Sequence, residues 1–200
     1  MEPDIKYLLY QIMTDTIAIV KLGGEVKVKE LFLGRDDAEI TRINTWLQDD
    51  KNVIKIILGD PRDPTDLPCL AIIRTTEGES PMAIGDVLEQ EDEDNDTFDE
   101  TLYGTDFINE YSIEVWTTNT DTREILYRIA KYGLFINRKY LAEKGLSEQR
   151  VSGNDEQGVL SENIPNFVYR SRLILSCRTS LQITEKYAQI PQIKANINMQ

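Results

Sequence analysis

The sequence predicts an α+β protein: a mostly antiparallel β-sheet packed with an N-terminal helix and one long helix over about residues 121–144. Two patterns predict it. Apolar residues recur at three- and four-residue steps in two segments, while several others alternate apolar and polar as half-buried strands do. Their order, helix first, then strands, one long helix and long strands at the end, suits helices laid on a sheet rather than alternating βαβ units.

From Asp4 to Lys21 the residues Ile5, Leu8, Leu9, Ile12, Met13, Ile17 and Val20 keep helical spacing, with Asp4 placed to cap the start and Gly23-Gly24 to stop it. EVKVKELFL then alternates and predicts a strand. DDAEITRINTWLQ carries Asp36 and Glu39 in capping-box spacing ahead of Ile40, Ile43 and Leu47, and predicts a second helix. NVIKIILG and PCLAIIRT are β-branched runs, with the turn-forming GDPRDPTDLP between them.

Residues 77–106 lack periodicity and predict a long acidic loop. YSIEVWTT alternates again, and Asp121 with Glu124 opens the long helix, carried by Ile125, Leu126, Ile129, Tyr132, Ile136, Tyr140 and Leu141 to Gly145. LSEQRV predicts a strand and SGNDEQG a loop. In FVYRSRLILSCRTSLQI the residues Phe167, Tyr169, Leu173, Leu175, Cys177, Leu181 and Ile183 share one face, and Arg170, Arg172 and Arg178 take the other. Residues 1–183 thus form one domain, followed by an extended C-terminal arm over 184–200.

Composition narrows the chemistry. The 200 residues include no histidine, which removes imidazole bases and histidine metal sites. Cys69 and Cys177, each inside an apolar run, read as buried thiols of a reducing compartment. No apolar run approaches a membrane span, and the acidic opening MEPDIKYL is unlike a signal peptide. A glycine-rich phosphate loop is also missing from the sequence, so neither a cofactor nor a catalytic set is expected.

The net charge of -13 is segregated: residues 1–122 hold 10 basic and 28 acidic side chains, residues 123–200 hold 12 and 7. Such a split suits a subunit whose basic surface meets an acidic surface of a neighbour. Two acidic stretches invite metal readings. Asp92, Asp94 and Asp96 begin like an EF-hand, but Thr97 stands where glycine is needed and Tyr103 where the bidentate glutamate belongs. Asp60, Asp63 and Asp66 follow a strand as nuclease ligands do, but the prolines at 61, 64 and 68 explain them as turn chemistry. Arg170, Arg172 and Arg178 remain as interface residues, with Asp92, Asp94 and Asp96 as partners for a basic surface.

Three segments, ILGDPRDPTDLPCLAII, YSIEVWTTNTDTREILYRIAKYGLF and NFVYRSRLILSCR, resemble the neck and tail-terminator proteins of tailed bacteriophages. These share an N-terminal helix, a proline followed by an apolar strand, a long helix after an alternating strand, and a late strand opening on an aromatic-Tyr-Arg sequence. The match covers Asp4–Leu22 and Val53–Ile183, apart from the acidic stretch. It implies a non-enzymatic virion protein, assembled in the host cytoplasm, that forms a homo-oligomeric, usually hexameric, ring at the head-proximal end of the tail. The ring stops growth of tube or sheath and joins tail to head connector, with no membrane and no sequence-specific nucleic acid among its partners. A different neck or baseplate position, a metal-dependent nuclease and an acidic inhibitor of a DNA-binding protein are the alternatives the residues leave open.

Overall fold

The computed structural model describes residues 4–79, 87–91, 98–161 and 164–188. The fold is α+β. One mixed sheet runs in the order β1(Lys55–Ile57), β2(Cys69–Glu79), β4(Phe98–Thr117), β6(Ile164–Ala188), β5(Ser147–Ser161), and β3(Val87–Glu91) pairs with β4 beyond the end of β2. Every pairing is antiparallel except β1 with β2. Helices α1(Ile5–Leu31), α2(Asp37–Gln48), α3(Thr120–Ile136) and α4(Arg138–Glu143) complete the described elements.

Alternation decides what the two faces of the sheet bury. Leu70 and Ile72 of β2, Tyr111, Ile113 and Val115 of β4, and Leu173, Leu175 and Cys177 of β6 point to one side. There they meet Ile5, Leu9, Ile12 and Met13 of α1 and Leu126, Ala130 and Leu134 of α3. Each such side chain taken fully out of water contributes about 1.5–3 kcal/mol, so this layer carries most of the hydrophobic stabilisation. Gly133 permits the close approach of α3 to α1, because a Cβ there would lie 2.6 Å from the Thr16 hydroxyl. A second cluster, including Val20, Val28, Phe32, Ile40, Ile43, Leu47 and Ile129, joins α1, α2 and α3. On the opposite face Cys69, Ala71, Trp116 and Val168 form a small third cluster.

Three local expectations are corrected. EVKVKELFL is not a strand. α1 bends at Gly24 (φ 55°, ψ -146°) and resumes as helix, because Val28 and Phe32, four residues apart, both bury into the α2 and α3 cluster. Tertiary burial here outweighs the local alternation. The helix expected over 121–144 divides at Asn137, whose side chain donates to the Gly133 carbonyl at 2.9 Å. Its start is capped by Asn119, which accepts from Asp121 N and Thr122 N. The stretch SGNDEQG is part of β5, paired to β6 through register shifts at Glu156/Val159 and Val159/Ser161.

Other expectations hold in detail. Asp4 accepts from Tyr7 N at 3.1 Å and Asp36 from Glu39 N at 2.8 Å, as their capping spacing requires. The aspartates of GDPRDPTD do turn work: Asp63 caps the short turn Pro64–Asp66 and accepts from Thr65 N, and Asp66 accepts from Arg62 N and Asp63 N. These backbone donors hold both carboxyls below the usual aspartate range, with Lys55 assisting at Asp66.

Strands β3 and the first part of β4 fall within 77–106, and β6 continues to Ala188, inside the range read as the C-terminal arm. β4 and β6 stay paired from Thr117↔Tyr169 out to Phe98↔Ala188. Among the described side chains of this pair, the buried ones farthest from Thr117 and Tyr169 are Asn109 and Thr179. Beyond them the backbone of β4 and β6 continues for about 30 Å.

Candidate subunit interface

Register places the arginines of β6. Arg172 lies opposite Glu114 and Arg170 opposite Trp116, all with side chains on the face turned away from α1 and α3. Glu114 is 2% exposed, and its two oxygens gather four polar side chains of that face. Arg172 Nε donates to Oε1 at 2.8 Å and Ser112 Oγ to the same oxygen at 3.2 Å. Trp116 Nε1 donates to Oε2 at 3.0 Å, and Arg170 Nη1 lies 3.6 Å from it. The Arg170 guanidinium also sits over the Trp116 ring, 5.2 Å from its centroid.

A carboxylate taken this far out of water is stable only when paired and hydrogen-bonded, and Glu114 is both. The arginine side chains keep 20% and 28% of their surface exposed. Their stems roof the sheet where none of the described helices covers it, and their heads stay in reach of water and of a second molecule.

Arg178 occupies a separate position farther along β6. Its Nη1 lies 3.1 Å from Glu148 and 3.9 Å from Asp106. The structure thus brings Arg170 and Arg172 into one cluster, leaves Arg178 apart, and meets all three with carboxylates of their own chain. The charge pattern had given that pairing to a neighbour. Asp92, Asp94 and Asp96 lie outside the described residues.

Glu114 is the residue that sequence reading passed over. In YSIEVW it occupies a polar position of an alternating strand, which ordinarily faces water. The available signal was Trp116 two residues on, the same face of a strand that proves to be central in the sheet.

On the helical side an open groove of about 470 Å³ runs between α1 and α3, lined by Glu30, Leu31, Tyr127, Arg128, Lys131 and Phe135 among others. Arg128 is tied down within it, bonded to Glu124 and stacked 5.1 Å from the Phe32 ring centroid. Among the described residues no three acidic or cysteine side chains stand close enough to hold a metal ion, and no helix is long and apolar enough to cross a membrane. The two thiols are buried on opposite faces of the sheet, and burial pushes Cys69 up to about 12 and Cys177 up to about 11. A scan against protein-family models finds no match to this chain, and a search of curated proteins finds none.

Proposed function

We propose that this chain is a structural virion subunit of a tailed bacteriophage, one of a ring of about six copies at the head-proximal end of the tail. The ring ends tube or sheath growth and presents a surface to the head connector. One observation carries this reading. The three segments that resemble neck and tail-terminator proteins are scattered in sequence but form one contiguous unit in space. ILGDPRDPTDLPCLAII supplies β2, YSIEVWTTNTDTREILYRIAKYGLF supplies the end of β4 and α3, and NFVYRSRLILSCR supplies β6. β2, β4 and β6 are neighbours in the sheet, and α3 packs on them.

The segregated charge supports the same reading, since each subunit of a ring offers one surface to the neighbour on its left and a different one to the neighbour on its right. Arg170, Arg172 and Arg178 belong to the basic side of that contact. The acidic run with Asp92, Asp94 and Asp96 is the partner for a basic surface of tube, sheath or connector.

The experiment is to assemble phage particles without this chain and measure their tails. A terminator predicts tube or sheath of uncontrolled length and tails that do not join heads. Tails of normal length that still fail to join would move the chain to another neck position. Normal particles, or DNA cleavage by the purified chain with magnesium or manganese, would overturn the proposal.

A further inference from the structure

Two charged side chains are buried among the described residues, Glu114 and Arg123. Glu114 accepts from Arg172, Ser112 and Trp116. Arg123, 8% exposed, has no such company: its Nε and Nη1 are closed to solvent and have no hydrogen-bond partner among the described residues. Those two atoms carry three of the five N–H donors of a guanidinium. Arginine does not shed its proton on burial as a lysine does, so the full charge stays in the site.

Position explains why the chain does not answer it. Arg123 stands near the start of α3, with its guanidinium over the Tyr169 ring, 6.0 Å from the centroid. Tyr169 shares the helix-covered face of β6 with Leu173 and Leu175, whereas Glu114, opposite Arg172, lies on the other face. The acids that flank Arg123 on α3 are engaged elsewhere, Asp121 with Arg42 at 2.8 Å and Glu124 with Arg128 at 2.5 Å. By contrast Arg128, Arg170, Arg172 and Arg178 each have a carboxylate within 3.6 Å. A ring face at the distance of Tyr169 offsets only part of what burying a charge costs.

The helix end adds to the demand for an anion. Side chains lean toward the N-terminus of their helix, where the backbone dipole is positive, and Arg123 brings a further positive charge to that end. Asn119 Oδ1 already occupies the N–H groups of Asp121 and Thr122, so the donors left over are those of the guanidinium.

We infer that Arg123 is the receptor for an oxyanion, a carboxylate or phosphate group held through two oxygens on the guanidinium fork. Because Nε and Nη1 are closed to solvent, docking includes a turn of the guanidinium toward the surface. Two sources can supply the group: a free ion, or an acidic side chain of a second copy, whose residues 1–122 hold 28 acidic side chains against 10 basic ones. The inference does not rest on the ring reading.

Thermal unfolding of the full chain tests it, with wild type and Arg123→Met compared in chloride, phosphate and citrate at matched ionic strength and at low and high protein concentration. The variant carries the general effect of each salt. It also replaces an unpaired buried charge with an apolar side chain of similar length, so in dilute protein with chloride it is expected to be at least as stable as wild type. Phosphate or citrate is expected to raise the wild-type midpoint by about 3 °C more than that of the variant. A comparable rise with protein concentration in chloride, confined to wild type, would assign the oxyanion to a second copy. Equal responses of the two chains to both the anions and the protein concentration would overturn the inference, whichever chain is the more stable. Arg123→Gln, judged by the same comparison, serves if the methionine variant does not fold.

Discussion

Glu114 holds together a face of the sheet that none of the described helices covers. Its carboxylate receives Arg172, Ser112 and Trp116 and lies beside Arg170, so removing it takes the acceptor from the Arg172 Nε and from the Trp116 indole N–H at a site almost closed to water. Losing one partner of a buried pair costs about 3–5 kcal/mol, and the partial exposure of the arginines lowers that to about 2–3 kcal/mol for Glu114→Ala, read from the urea midpoint. Glu114→Gln, which keeps the shape and one acceptor, is expected to cost less. The cysteines give a pH prediction. Burial raises both thiols above their ordinary 9.0, so the folded chain keeps protons that the unfolded chain releases. Stability is therefore undiminished below pH 9 and falls as pH rises toward 11, by at most about 1.4 kcal/mol per pH unit for each thiol. Urea unfolding at pH 8 and pH 10 checks the sign, and thiol reagents at pH 8 are expected to label neither cysteine until the chain unfolds. At this scale the arginine alternation was legible in sequence and its partner was not: alternation says which side chains share a face, but not whether that face is covered.

Among the elements, the bend in α1 is the most exacting. Gly24 adopts φ 55° and ψ -146°, a region that side-chain-bearing residues avoid, while the nearest atom to an added Cβ is Asn44 Oδ1 at 3.9 Å. Gly24→Ala is thus a backbone penalty without a clash. It is expected to destabilise by about 1–3 kcal/mol, and Gly34→Ala, also at positive φ in open space, provides the comparison for a turn outside a helix. The glycine pair was readable as a stop, and locally it is one. What the sequence could not show is that the chain re-enters a helix, since EVKVKELFL satisfies a two-residue period and, through Val28 and Phe32, a four-residue step as well. Only burial of Val28 and Phe32 in the cluster with α2 and α3 selects the second. The same limit applies to β5, where SGNDEQG has loop chemistry yet lies beside β6 and takes its pairing from that neighbour. Elements set by their own side chains, such as the capped starts of α1 and α2, were legible to the residue.

At the scale of the molecule, a helical layer anchors one part of a sheet whose strands continue well past it. The core explains the α+β fold: two helices cover one face of β2, β4 and β6, and alternation alone predicts that side. The core clusters do not explain why β4 and β6 remain paired through Phe98↔Ala188, or why acidic and basic residues are divided between the two parts of the chain. The ring subunit proposed above, with its long strands and divided charge facing neighbours, would account for both. Native mass spectrometry across a concentration series, with negative-stain imaging of the largest species, tests that account most directly. It predicts a closed ring of about six subunits with a central opening; a monomer at every concentration, alone and with tail tube added as a template, would contradict it.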